Sequence, residues 1–275
     1  MTPVAKNASD RGYDPIDMQC IASAREVSPN ETVLVGMGPP LLAGTIAKKI
    51  HAPEMVFVTE SGPMDWTPSE GVPAPLQIAD TAMTEGSAMV TDMLDVLGLF
   101  LMGGRASTAM FQAAQIDRLG NLNTILVGTY SNWSRRFPGT GGNIDGGASA
   151  GRMISTLPLE SRRFRERVDF LTTAGYLEGP GAREAAGLGP QGPNVCVTTM
   201  CVFRFDTTDA GRTGSCEMYL DGLFDGVSVE DVKSIIPWDL QVASDPVLVP
   251  PPTDEELDAI NELDAERVYR VPGRY

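Results

Sequence analysis

The apolar positions of this chain fall into short blocks that change their period. Ile16, Cys20, Ile21 and Ala24 recur at the spacing of one helix face and predict a helix over Pro15–Glu26. The run Glu31-Thr-Val-Leu-Val35 is short, β-branched and apolar, as a buried strand should be, and it stops at Gly36-Met-Gly-Pro-Pro40. Helical composition follows from Leu41 to Ile50, so these segments read as strand, turn and helix. Met55-Val-Phe-Val-Thr59 begins a second unit, with Glu60-Ser-Gly-Pro63 as its turn. Residues 65–80 form a proline-rich loop, and helical composition returns around Ala88–Val96. Leu97–Met102, closed by Gly103-Gly104, reads as a strand.

Farther along, the alternation loosens. Thr108–Gln115 reads as a strand or short helix, Thr124–Val127 as a strand, and residues 139–147 as a glycine-dense loop. The basic stretch Arg162–Arg167 leads into Val168–Leu171, residues 175–194 form a Gly/Pro loop, and Val195–Phe205 has strand composition. Thr253 and Glu256 have capping-box spacing and open a helix to about Glu266. Strands alternating with helices predict an α/β fold, an open, mostly parallel sheet with helices on both faces. No internal repeat or linker stands out. One domain is expected over residues 1–250, with a helical tail over 251–275 packed on it or on a partner subunit.

Composition narrows the function. Of 275 residues, 42% are hydrophobic and 21% charged, enough apolar material for a full core. Lys and Arg number 21 against 36 Asp and Glu, a net charge of −15. A binder of nucleic-acid backbone or of an anionic membrane needs a basic face, so both partners are disfavoured. Met1–Asn7 lacks the apolar stretch of a signal peptide. The longest apolar run, Met93–Met102, is broken by Asp95 and falls short of the ~20 residues a membrane span needs. Cys20, Cys196, Cys201 and Cys216 are scattered, and His51 is the single histidine, so no metal site is expected. A cytoplasmic location with reduced thiols is the expectation.

In open α/β sheets the ligand sits outside the carboxyl ends of the strands, so chemistry is sought in the turns after strands. The Gly36–Pro40 turn lacks the third glycine of a dinucleotide fingerprint, Leu41 standing there, and lacks the Gly-Lys-Ser/Thr of a P-loop. Its two glycines make either a tight turn into a helix or a place where backbone N–H groups approach a ligand and stabilise an oxyanion. Glu60, directly after an apolar strand, is either a solvated acid or a nucleophile toward a carbonyl in a site that excludes water. The glycines of 139–147 are either a flexible loop or a wall against an extended ligand such as a pantetheine arm. His51 reads as a helix-end histidine, and no serine or cysteine stands in a nucleophile elbow.

In their order and spacing these segments resemble the family I CoA-transferases, of the glutaconate CoA-transferase β-subunit type. The resemblance rests on Val35–Lys49, Ala52–Asp65, Ala114–Asn123, Pro138–Gly142, Arg162–Phe164 with Val168–Phe170, and Gly175–Arg183, and it spans about residues 14–245. It implies a CoA-transferase-like Rossmannoid fold. It implies that Glu60, in Glu-Ser-Gly, attacks an acyl-CoA thioester to give a mixed anhydride, which CoA thiolate converts to a glutamyl-CoA thioester. A second small carboxylic acid, dicarboxylic acids included, then takes the CoA. It assigns Gly36, Gly38 and Gln115 to oxyanion stabilisation and substrate binding, and Gly139, Gly141 and Gly142 to CoA binding. It implies no metal and no cofactor, coenzyme A being a substrate. It also implies an α subunit as partner, because the family's site lies between two unlike subunits. Where the family has two glycines before Ala114-Gln115, this chain has Gln112 and Ala113, which bears on the acyl group accepted.

Two other readings stand beside this one. A CoA-thioester hydrolase, ring-opening hydrolase or decarboxylase subunit on the same scaffold is the alternative, and the presence of Glu60 favours transfer over it. A ligand-sensing module of the kind found in sugar-responsive repressors is disfavoured, because no basic helix-turn-helix segment is seen ahead of the domain.

Overall fold

The computed structural model describes residues 12–208 and 212–271. Helix α1 (Pro15–Arg25) starts on a capping box: the Asp14 carboxylate accepts from the N–H groups of Ile16 and Asp17, and the Asp17 carboxylate accepts from the N–H of Asp14. It is followed by β1 (Thr32–Val35), α2 (Pro39–Ile46) with a π-helical turn at Ala47–His51, β2 (Val56–Val58), β3 (Pro63–Met64) and β4 (Met89–Val90). A second π-helical segment covers Asp95–Leu101. Next come β5 (Thr108–Phe111), β6 (Gln115–Asp117), β7 (Leu122–Asn123), β8 (Leu126–Thr129) and β9 (Asn132–Arg136). Helix α3 (Asn143–Ser149), β10 (Arg152–Thr156), β11 (Phe164–Arg165) and the short α4 (Ala182–Ala185) lead to β12 (Pro193–Val197) and β13 (Cys201–Phe205). The chain closes with β14 (Met218–Leu223), α5 (Val229–Lys233), β15 (Gln241–Leu248) and α6 (Asp254–Leu263).

Among the described residues ten strands form one sheet in the order β15-β14-β13-β12-β10-β5-β1-β2-β3-β4. The central strands β12, β10, β5, β1 and β2 run parallel; β13 and β14 on one side and β3 and β4 on the other are added by antiparallel pairing, and β15 pairs parallel with β14 at the edge. Strand β1 has β2 on one side and β5 on the other, so the winding reverses there and leaves a crevice at the carboxyl ends of three strands.

The central strands are buried on both faces, and their period of two divides them between two cores. Val33, Val35, Phe57, Met110 and Ile154 point into a core shared with Ile21 of α1, Leu41 and Leu42 of α2, and Ile260 and Leu263 of α6. Leu34, Val58, Phe111 and Met153 point into the other, with Val96 and Leu101 of the second π-helical segment and Ile116 and Phe164 of a small sheet, β11-β6-β7. Helix α3 packs on this second face, Gly146 lying against Phe111 and Leu34. The C-terminal helix is tied to α1 by charge as well. Glu256 accepts from Arg25 at 2.6 and 2.5 Å, and buried Arg270 bridges Asp264 and Asp17. Residues 272–275 of the expected tail lie outside the described residues.

Several expected elements differ in the structure. Leu97–Met102 is helical rather than a strand: Val96, Leu97, Phe100 and Leu101 turn inward at helical spacing, while Leu99 and Met102 are exposed. Ala88–Val96 begins instead with β4, antiparallel to β3. Thr108–Gln115 splits between β5 and β6, which belong to different sheets. Val195–Phe205 is a hairpin, β12 and β13, because Thr198 turns the chain by bonding the Cys201 and Met200 N–H groups.

Candidate active site

The turns after β1, β2 and β5 meet at the crevice and line one cavity of about 720 Å³, with Gly36 and Met37 from the first, Glu60 from the second, and Gln112, Ala113 and Ala114 from the third. That volume lies in the range of small-molecule sites, about 300–1,000 Å³. The remaining wall comes from outside the large sheet. Val127, Ser134, Arg135 and Phe137 come from or border the β8–β9 hairpin, Gly139–Gly141 form a loop, and Arg162 and Arg163 precede β11.

Glu60 leaves β2 on a turn closed by two backbone bonds, Thr59 N–H to the Pro63 carbonyl at 3.1 Å and Gly62 N–H to the Thr59 carbonyl at 3.2 Å. The Ser61 hydroxyl donates to the Ile78 carbonyl and pins the turn from outside. The half-buried Glu60 carboxylate accepts the N–H of Gly142, the residue that caps α3. Loop and carboxylate approach so closely that a Cβ on Gly141 would stand 2.8 Å from Oε1, and one on Gly142 2.4 Å from Oε2. Gly141 also has φ +49°, a left-handed conformation that side chains disfavour. The glycine-dense stretch is therefore a fitted cover over Glu60, and from Asn143 it is helix rather than loop. Burial pushes the Glu60 carboxyl above the ordinary glutamate range; the Gly142 N–H opposes this, and the nearby Asp145 charge adds to it.

The other expected site residues divide. Gly139 and Gly141 line the cavity, and Gly142 reaches it through Glu60. Gly36 lines it too, but its N–H is bonded to the Met110 carbonyl at 2.9 Å, so the sheet has taken the donor expected to meet an oxyanion. Among the described residues no hydrogen bond uses the N–H of Met37 or of Gly38. Gly38, at φ +86°, lies under the Gln112 side chain, whose Nε2 would be 2.4 Å from a Cβ placed there. Gln115 is not brought to the cavity. It is 1% exposed, its Nε2 donates to Asp169 at 2.8 Å, and its Oε1 accepts from Asn123 at 2.7 Å and from the Asp169 N–H at 3.0 Å. It braces the small sheet, and Ala113 and Ala114 stand at the cavity instead.

Sequence reasoning missed the charge of the wall. Among the described lining residues Glu60 is the one acid, against Arg135, Arg162 and Arg163, in a chain of net charge −15. Glu160 accepts from both Arg162 (2.8 Å) and Arg163 (2.9 Å), and Arg163 also donates to the Ala113 carbonyl at 3.1 Å. Burial holds Arg163 below the usual arginine range; Glu160 opposes this, and the Arg162 and Arg135 charges add to it. The basic stretch at 162–167 was a visible signal, whereas nothing in the pattern around Arg135 set it apart. Among the described residues, no group of three or more His, Cys, Asp or Glu is arranged to hold a metal ion, and no helix is long and apolar enough to cross a membrane.

Comparison with known proteins bears on the family and the fold. The model of the coenzyme A transferase family matches residues 16–234. The chain is 31% identical over 253 residues to the B-type subunit of the 3-oxoadipate CoA-transferase of Pseudomonas knackmussii, covering 92% of this chain and 94% of that protein. It is 31% identical over 236 residues to the B-type subunit of the glutaconate CoA-transferase of Acidaminococcus fermentans, covering 84% and 85%. The crystal structure of glutaconate coenzyme A-transferase from Acidaminococcus fermentans superposes with a TM-score of 0.84 at 29% identity, over 95% of this chain and 99% of that one. The decarboxylase AibA/AibB superposes with a TM-score of 0.75 at 18% identity, over 93% and 97%, and shares the fold alone.

Proposed function

The chain belongs to the coenzyme A transferase family, and from that premise we propose that it is the B-type member of a heteromeric, cytoplasmic CoA-transferase that uses Glu60 as a covalent nucleophile. The observation that carries the reading is the Glu60 carboxylate, half-buried at the end of β2, facing the cavity and gripped by the Gly142 N–H. A desolvated carboxylate is a stronger nucleophile than a hydrated one, and an active site closed to water protects the intermediates it forms.

The steps balance without net proton transfer. A Glu60 oxygen attacks the thioester carbonyl of the acyl-CoA and expels CoA thiolate, leaving a mixed anhydride. The thiolate attacks the Glu60 carbonyl, releases the first acid as carboxylate and leaves a glutamyl-CoA thioester. The carboxylate of a second acid attacks that thioester, and the thiolate returns to the acid's carbonyl, freeing Glu60. Exchanging carboxylate for carboxylate keeps the thioester's energy, which water would discard. Because Gly36 N–H is committed to Met110, the donors left for the oxyanion are the N–H groups of Met37 and Gly38. The Gly139–Gly142 loop covers the CoA-bearing arm. Both transferase relatives are B-type members of their enzymes, so an A-type partner is part of the reading. Exposed Met89, Val90, Met93, Leu94, Leu99 and Met102, in the stretch from β4 through the second π-helical segment, supply apolar surface for that partner.

The test is to purify the chain with its partner, incubate the complex with an acyl-CoA and borohydride, and map the reduced residue by mass spectrometry. Reduction at Glu60, and CoA exchange between two acids, are the expected results. Reduction elsewhere, or release of free CoA without an acceptor acid, would overturn the reading in favour of a hydrolase. The chain purified alone should be inactive.

A further inference from the structure

We propose that the β8–β9 hairpin, through Arg135 and with Arg162 and Arg163 beside it, holds the phosphate end of coenzyme A. The assignment rests on the transferase reading and adds to it the place where the nucleotide end docks.

Charge is the first reason. Three guanidiniums line one cavity, and the carboxylate behind them, Glu160, accepts from Arg162 and Arg163. Among the described residues Arg135 has no ion-pair partner; its neighbour is the Phe137 ring, 5.4 Å from the guanidinium carbon. Like charges gathered on one wall repel, and in a chain of net charge −15 acids were plentiful. The cluster is explained by an anion that arrives with the substrate. Arginine's planar fork suits phosphate oxygens, which it grips in pairs.

Continuity is the second reason. Glu60 and Arg135 line the same cavity, so one ligand reaches both. It must offer a reacting carbonyl at one end and negative charge at the other, with a neutral stretch between. Acyl-CoA does so: the thioester belongs at Glu60, the pantetheine arm is uncharged, and the diphosphate and 3′-phosphate lie at the far end. The lining residues Ile78, Val127, Gly139 and Gly141 carry no charge and suit that arm.

Construction is the third. All five residues of β9 are exposed, and a lone two-stranded hairpin is marginal in water. This one is braced. Arg136 lies over the rings of Tyr130 (5.5 Å) and Trp133 (5.8 Å), Tyr130 packs near Phe170 (6.3 Å), and the Gly128 N–H donates to Asp169 at 2.9 Å. The bracing uses Arg136 and leaves its neighbour Arg135 to the cavity.

The experiment uses the complex of this chain with its partner and compares thioesters of CoA, dephospho-CoA and pantetheine. In the wild type, KM should rise along that series. Arg135→Gln should raise KM for the acyl-CoA about tenfold or more, with kcat and the KM of the acceptor acid changed by less than about twofold, and it should flatten the series. Arg135→Lys should recover part of the loss, since it keeps the charge without the fork. Circular dichroism should show both variants folded, as the residue is exposed. A raised KM for the acid instead of the acyl-CoA would overturn the assignment and give the arginines to an acid's second carboxylate. An unchanged preference for CoA over pantetheine in Arg135→Gln would also overturn it. Neither result touches the transferase reading, which fails separately if the wild-type complex transfers CoA from no thioester in the series.

Discussion

The two walls of the cavity are built in opposite ways. One is the carboxyl edge of the parallel sheet, where each turn leaves a strand buried on both faces and is held by ladder bonds such as Gly36 N–H to Met110. Shifting it means disturbing both cores. The other hangs on a two-stranded hairpin with an exposed outer strand and on a loop of glycines. Stability differs along a chain in just this way, few buried contacts marking the parts that yield first. Glu60, the proposed nucleophile, sits on the stiff wall and Arg135 sits on the yielding one. On the proposed reading, chemistry that tolerates little misplacement is separated from recognition that tolerates more. The walls meet where Gly142 grips Glu60, and Arg163 ties them again through the Ala113 carbonyl.

The largest blow to this division is removal of the proposed nucleophile from the stiff wall. Glu60→Ala should lower kcat by about 10⁴-fold or more, with thermal stability little changed, because the side chain is half-buried and packs no core. Turnover of the variant complex within tenfold of wild type would show that the sheet wall does not supply the reacting group. Next in size is the contact itself. Gly142→Ala puts a methyl group where Oε2 already stands, 2.4 Å away, and also 3.0 Å from Leu97 Cδ2. The carboxylate must swing aside, and a displacement of about 1 Å costs on the order of 10² in rate. We expect that loss in kcat with KM for acyl-CoA nearly unchanged. A loss confined to KM would place Gly142 in binding only.

The same contrast explains what could be read from the sequence. The stiff wall was legible because strands buried on both faces are uninterrupted apolar runs that end sharply at turn residues, as Thr32–Val35 and Val56–Val58 do. Glu60 was legible for that reason. Apolar runs mislead where only one side is buried: Met93–Met102 has no visible period, yet only Val96, Leu97, Phe100 and Leu101 turn inward. Strand β15 was missed because it is a largely exposed edge strand interrupted by Asp245-Pro246, a pair that reads as a turn. Which N–H of the Gly36–Gly38 turn stays free depends on the pairing of β1 with β5, which sets Val33 beside Thr108, far along the chain and invisible to local pattern. Gln115 lies in a recognisable motif, but only the fold shows that its amide is consumed by Asn123 and Asp169. Arg135 lies in an exposed strand, where period carries no information about a ligand.

A smaller effect should come from Gln112, the side chain that crosses Gly38 on the stiff wall. No hydrogen bond within the described residues uses its carboxamide, which leaves it to the acyl group. Gln112→Ala should change the ratio of kcat/KM between acceptor acids of different length or polarity by about tenfold, the worth of roughly one hydrogen bond. Total activity with the best acid should fall much less. An unchanged ranking of acids would mean that selection lies elsewhere, in the arginines or in the partner.

The finest test concerns the charge on Glu60, whose carboxyl is pushed above the ordinary glutamate range chiefly by burial. The sign follows from which state resists ionisation. Unfolded, Glu60 ionises in the ordinary range; folded, it ionises only at higher pH, so above its raised value the folded state bears a penalty that is absent once both states are protonated. Glu60→Gln removes that penalty while preserving shape, and its carboxamide oxygen still accepts from Gly142. The variant should therefore match or exceed wild-type stability at pH 7, by about 1 kcal/mol or less because the group is only half-buried and solvent screens it. The gap should close as pH falls through the raised value toward the ordinary range. Urea melts across that window measure it, and a variant less stable than wild type at neutral pH would mean that the Gly142 bond to a charged oxygen outweighs desolvation. Activity should report the same group from the other side. Protonation removes the nucleophile, so the acid limb of kcat/KM should lie above an ordinary glutamate, and a limb at or below that range would show a carboxylate far better solvated than the fitted glycine cover allows.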